Sequence, residues 1–230
     1  MKQENLPPDA EEELRTLKNQ ILSLAGIVES AFTEATVALV DNDIAAAREA
    51  KVEDYKAHQE WLRVDTLASD LLSTGKLELD DVQFVCAAIK MALNLRMMAD
   101  QAVAISKRMQ ACPAGEIPPG PCTEILPRMV ELSQSIYSDS IEAFVNRDGA
   151  EAQSQHLVFR ELSSLNDDLV ERVKEEMVEE QNLPAEVGTA LILVGRSLEF
   201  IGEHTLDIAN YVSHLYPTED HSEELEGETE

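Results

Sequence analysis

Aromatic side chains make up only 4% of this 230-residue chain, and glycine and proline stand at nine each. A sequence so poor in strand and turn formers, with apolar content that is mostly Ala, Leu, Val, Ile and Met, is suited to long helices. Basic residues are also few: 18 Lys and Arg face 45 Asp and Glu, a formal net charge of −27. Nucleic-acid affinity rests on clustered Lys and Arg that neutralise phosphates, so this balance excludes nucleic acid as a partner. The same charge suits solubility, attraction of divalent cations or a salty environment, and composition does not separate these.

The three cysteines, Cys86, Cys112 and Cys122, are odd in number and lack the C-x-x-C spacing of a zinc or redox site, which points to a reducing cytoplasm. The opening MKQENLPPDAEEEL has no apolar signal-peptide core, and no stretch approaches 18 uninterrupted apolar residues. The expectation is a soluble, cytoplasmic protein.

What is present is helical periodicity. Leu14, Leu17, Ile21, Leu24, Ile27 (or Val28), Ala31 and Ala35 recur at three- and four-residue spacing, predicting a helix to about Val40. Asp41-Asn42-Asp43 forms a turn, and a second helix through Trp61, Val64 and Leu71 ends at Ser73-Thr74-Gly75-Lys76. Asp80-Asp81 caps a third helix running from about Val82 to Met109. Residues 111–121, ACPAGEIPPGP, hold four prolines and two glycines in eleven positions, which no helix interior tolerates. Beyond this linker the rhythm restarts: a fourth helix from about Thr123 to Val145, a turn at Asn146 to Gly149, a fifth to about Glu180, a break at Leu183-Pro184, and a sixth to about Leu215. The last thirteen residues carry seven acids and no Lys or Arg, and self-repulsion predicts a solvating, disordered tail over 217–230.

The second half repeats the first. Ala38 to Ala47 matches Ala143 to Ala152 at an offset of 105, with five of ten positions identical, and Leu95 to Asp100 corresponds to Leu198 to Glu203 at an offset of 103. The expected architecture is all-α: a three-helix bundle over 9–110, a linker, and a second bundle over 122–216.

One constellation has chemical potential. Glu199, Glu203 and Asp207 stand at i, i+4 and i+8 on the sixth helix and share one side of it, beside the apolar Leu198 and Ile201. Like charges at this spacing repel, so the ladder calls for a bound cation, a basic partner helix or solvent. Oxygen ligands of this kind suit Mg²⁺, Ca²⁺, Mn²⁺ or iron; a plain solvated acidic face is the alternative. Gly202, within the ladder, removes bulk that would obstruct a neighbouring helix or an ion. The histidines form no Glu-x-x-His pair, so the bundle-type di-iron signature is missing. No phosphate-cradling loop or nucleophile motif occurs, and the expectation is a protein that is not an enzyme. The Met-rich third helix reads as adaptable core, and Trp61 as a packing or interface anchor.

Ser197 to Glu203, SLEFIGE, resembles the Glu-Arg-Ile-Gly-Asp motif on the third helices of PhoU proteins, with Phe200 in place of Arg and Glu203 in place of Asp. The turns Val40 to Ala47 and Val145 to Ala152 are similar to the family's turn between its first two helices, and the resemblance covers about residues 13–215. It implies two tandem three-helix bundles and a regulator of phosphate uptake and starvation signalling, acting by contact with a phosphate ABC transporter ATPase and a membrane sensor kinase, commonly as a homodimer. It also implies acid-bound metal, such as iron, Mn, Mg or Zn, with the best site at Glu199, Glu203 and Asp207. In the first repeat the motif survives only as Asp100, with Arg96 at the Glu position and Ala99 at the Gly, while helix 2 keeps Asp54 and its counterpart on helix 5 is Phe159. Two readings stay open there: Asp54 and Asp100 as further metal ligands, or Arg96 holding a carboxylate of its own bundle as an ion pair in place of an ion. Two other functions stay open: a metal-binding or metal-storage bundle, and a dimeric structural or chaperone-like adaptor.

Overall fold

The computed structural model describes residues 8–40, 44–111, 120–179 and 182–217. These form six long helices: α1 (Pro8–Val40), α2 (Ile44–Ser73), α3 (Leu79–Ala111), α4 (Pro121–Asn146), α5 (Gly149–Lys174) and α6 (Ala185–Leu215). No strand occurs among the described residues, so the chain is all-α. Residues 112–119 of the Pro/Gly-rich segment and 218–230 of the acidic tail lie outside the described residues. α3 and α4 extend past the expected bounds by one to three residues at each end, and α5 passes into a π-helical turn, Glu175–Glu179. Because α3 begins at Leu79, Asp80 and Asp81 lie in its first turn and do not cap it, where their charge still favours the helix N-terminus.

The buried positions follow the helical period. On α1 they include Leu17, Ile21, Leu24, Val28, Ala31 and Ala35, and on α2 Ala50, Ala57, Val64 and Leu71 repeat every seven residues as a narrow seam. α3 and α6 are apolar over a wider arc, with Met91-Ala92, Met98-Ala99 and Ala102-Val103 buried side by side on α3. The cause is topological. α1, α2 and α3 pack together, as do α4, α5 and α6, and α3 and α6 also pack on each other. Ala10–Leu39 and Leu79–Gln110 reach the length and mean hydropathy, 1.4 and 1.3, of a membrane span, yet half of each apolar window is buried within the bundle, as in core helices.

The α3–α6 seam carries an internal symmetry. His204 Nδ1 lies 2.9 Å from Asn94 Oδ1, and Ser197 Oγ lies 3.0 Å from Gln101 Oε1. Shifted by the repeat offset of 103, Asn94 becomes Ser197 and Gln101 becomes His204. The two contacts are thus equivalents of one another, as at an isologous interface around a two-fold axis. Arg108 adds a hydrogen bond to Ser197 at 2.7 Å. Elsewhere Tyr137 of α4 donates to the carbonyl of Ala25 on α1 at 2.6 Å, and Phe84 stacks on Phe144 with centroids 6.4 Å apart.

Within the second bundle, α6 approaches α5 through glycines. A Cβ on Gly195 would stand 2.5 Å from Leu169 Cδ2, and one on Gly202 would stand 2.6 Å from Leu162 Cδ2 and 3.1 Å from the Phe159 ring. The room left by Gly202 is therefore filled by a neighbouring helix. Trp61 is half-buried against the core of its own half, with the His58 ring 5.6 Å away. Met91, Met98 and Met109 are core residues, as the Met-rich pattern predicts, whereas Met97 faces outward and is 41% exposed.

Two glycine substitutions are expected to act in opposite directions. Gly202→Val forces atoms into the α5 contact and should cost about 1–3 kcal/mol. Gly26→Ala, at an exposed helical position with nothing within 4 Å, should stabilise by about 1 kcal/mol. Shifts of the urea midpoint in opposite directions check both, and a neutral Gly202→Val would contradict the close approach.

Candidate functional site

The acids singled out in the sequence lie on the third helix of each half, with Asp54 on α2, and in each half an arginine holds two of them. On α6, Glu199 is only 6% exposed, set among the buried Leu198 and Ile201. A carboxylate so placed must have its lone pairs satisfied. α5 supplies two neutral donors: Ser163 Oγ donates to Oε1 at 2.7 Å, and Asn166 Nδ2 donates to Oε2 at 2.7 Å. Arg196, one turn earlier on α6, donates Nη1 to the same Oε2 and lies 3.5 Å from Glu203 Oε1. Its guanidinium rests 4.0 Å above the Phe200 ring, a cation–π contact that fixes its direction. The hydrogen bond to Glu199, with the negative charge of Glu203 nearby, raises the Arg196 pKa further.

The first half reaches the same balance with different residues. Arg96 of α3 binds Asp54 of α2 and Asp100 of α3, each at 2.8 Å from Nη1, with His58 Nδ1 3.5 Å from its Nε. Arg96 and Asp54 are largely buried, their side chains 18% and 24% exposed, while Asp100 is more open. An ion pair to Arg96 is the arrangement found at this position.

The ladder on α6 does not act as a unit. Glu199 turns into the α5–α6 contact, Glu203 meets Arg196 from a half-exposed position, and Asp207 is exposed. Among the described residues, no three His, Cys, Asp or Glu side chains converge as a metal would need. Both oxygens of Glu199 already accept hydrogen bonds, and a guanidinium stands between Glu199 and Glu203, so these residues do not fit an oxygen-ligated metal centre. Asp54 and Asp100 sit in the other half and are bridged by Arg96. Cys86 is a free, exposed thiol.

Sequence reasoning passed over Arg196, Ser163, Asn166 and His204. Arg196 was accessible from spacing, since it stands at i−3 to Glu199 and i−4 to Phe200. Ser163 and Asn166 carry no such signal, because polar residues on a helix mark solvent as readily as a buried partner. His204 faces Asn94 and stacks near Phe200, with ring centroids 6.4 Å apart. Burial lowers its pKa, and the nearby Asp207 and Glu203 carboxylates oppose that shift without cancelling it.

Two outcomes follow from these contacts. Glu199→Ala strands Ser163, Asn166 and Arg196 and should lower stability by about 1–3 kcal/mol, whereas Asp207→Ala, exposed and outside the network, should change it little. For His204 the folded-state pKa lies below the unfolded one, so the unfolded chain takes up its proton first as the pH drops. Its share of stability is complete above the ordinary histidine range and declines as pH falls through about 6.5 and below. Denaturation midpoints between pH 8 and pH 5 should fall less steeply in His204→Gln than in the wild type; equal slopes would contradict the assignment.

The comparisons agree with this architecture. The PhoU domain model matches the chain twice, over residues 21–109 and 126–212. The phosphate-specific transport system accessory protein PhoU homolog of Pseudomonas putida is 25% identical over 210 residues, covering 88% of this chain and 78% of that protein. The homolog of Pseudomonas aeruginosa is 26% identical over 210 residues, covering 88% and 83%. Among solved structures, PhoU from Streptococcus pneumoniae superposes with a TM-score of 0.81 at 20% identity, covering 90% of this chain and 96% of that one. PhoU from Pseudomonas aeruginosa gives 0.84 at 24% identity, covering 89% and 97%. The two matched segments fall on the two packed sets of three helices, and this chain belongs to the PhoU family.

Proposed function

We propose that this protein regulates phosphate uptake and the phosphate-starvation response from the cytoplasm, acting by binding rather than catalysis. The observation that carries the reading is the double PhoU match, which spans both halves of the chain, together with relatives of similar length named as accessory proteins of the phosphate-specific transport system. Its partners are the ATPase of a phosphate ABC transporter and a membrane sensor kinase, and a second copy of the chain completes the functional unit. The surface suits such contacts. Helices of 26 to 33 residues present broad faces, and Leu93 and Met97, one turn apart on α3, are exposed although apolar.

Co-expression with the ATPase subunit of a phosphate ABC transporter should give a complex that survives affinity purification and gel filtration. Leu93→Glu/Met97→Glu, which places charge on the exposed apolar face, should weaken retention or dimerisation while helical content stays unchanged. Failure of the wild type to retain either the ATPase or the cytoplasmic part of the sensor kinase would count against this function.

A further inference from the structure

We infer that Arg96 and Arg196 are built-in counter-cations, each standing where a bound metal ion would balance the acids of its half, so that both sites are held closed without a metal.

The charge pattern is the same in both halves. A guanidinium lies between two carboxylates, Asp54 and Asp100 around Arg96, and Glu199 and Glu203 around Arg196. The residues that achieve it are not equivalent in the repeat. Arg96 corresponds to Glu199, and Arg196 corresponds to Leu93, an exposed apolar residue. Inheritance from a common repeat does not produce a guanidinium at two different positions, whereas a shared need for positive charge beside these acids does. In the second half the arrangement also restores what the local sequence omits. Where the resembling motif has Arg, this chain has Phe200, and Arg196 from one turn earlier lies over that ring.

A metal would compete poorly here. An oxygen-ligated divalent ion needs ionised carboxylates with free lone pairs. Both Glu199 oxygens already accept hydrogen bonds, from Ser163, Asn166 and Arg196. To enter, the ion would displace a guanidinium or sit against it, and like charge opposes the second course. In the first half Arg96 bridges acids on two different helices, α2 and α3, the linking role otherwise left to an ion.

The test uses the full chain and Mn²⁺, whose free aqua ion is counted by electron paramagnetic resonance. Wild-type protein should retain no Mn²⁺ that Glu199→Gln removes, and its thermal midpoint should be unchanged by excess Mn²⁺ or by chelator. Arg196→Gln removes the positive charge between Glu199 and Glu203, leaving only neutral donors on Glu199, and should bind Mn²⁺ at least ~10-fold more tightly than the wild type, with a midpoint that rises with the ion. Arg196→Lys, which keeps the charge, should behave as the wild type. Arg96→Gln offers an independent arm through Asp54 and Asp100. The inference is overturned if the wild type binds Mn²⁺ stoichiometrically and loses it in Glu199→Gln, or if Arg196→Gln and Arg96→Gln, both folded, bind no more tightly than the wild type. Should either Arg→Gln variant fail to fold alone, refolding in Mn²⁺ but not in chelator supports it, and no rescue in either half overturns it. These outcomes stand apart from whether the chain docks on a transporter.

Discussion

The antiparallel seam between α3 and α6 governs the rest of the molecule. A three-helix unit needs only one apolar stripe per helix, yet α3 and α6 are buried over wider arcs, and the surplus is covered by the other half. The polar groups caught in that contact are satisfied in pairs, Asn94 with His204 and Gln101 with Ser197, related by the repeat itself. Such pairing fixes register, because a slip of one helix along the other would strand two buried polar contacts at once. Tyr137 on Ala25 and the Phe84–Phe144 stack close the seam on the side of α1 and α4.

With the third helices committed to the seam, their remaining edges face the other two helices of each half, and the paired acids sit on the α2 and α5 sides. A carboxylate at the margin of a packed core is stable only with its charge answered. The two halves answer it differently in detail. In the first, Arg96 ties α3 to α2; in the second, neutral donors from α5 hold Glu199 and Arg196 reaches it from α6 itself. Gly195 and Gly202 belong to the same solution, since side chains there would hold α5 away from α6 and separate Ser163 and Asn166 from Glu199. Backbone approach and charge satisfaction are therefore one feature on this face.

Helix number, breaks and internal repeat were legible because they are properties of contiguous residues. Apolar spacing marks a helix face, the run of prolines and glycines over 111–121 stops a helix, and two segments in register betray a duplication. The shared side of Glu199, Glu203 and Asp207 was legible for the same reason. Their joint action was not, since the direction each carboxylate takes depends on what α5 places opposite. Asp54 and Asp100, distant in sequence, meet on one arginine, and of the two roles open to Trp61 the packing one is seen, half-buried against the core.

The sequence by itself determined the all-helical class, the tandem halves and the family motif, because periodicity and residue type act locally along the chain. Tertiary structure alone decided that α3 and α6 pair through equivalent polar contacts, that Gly202 makes room for a helix, and that arginines answer the third-helix acids. The physical reason is that burial and hydrogen-bond partnership are properties of facing surfaces. A Ser or Asn reads the same in sequence whether water or Glu199 stands opposite it, and only the packing of α5 on α6 determines which.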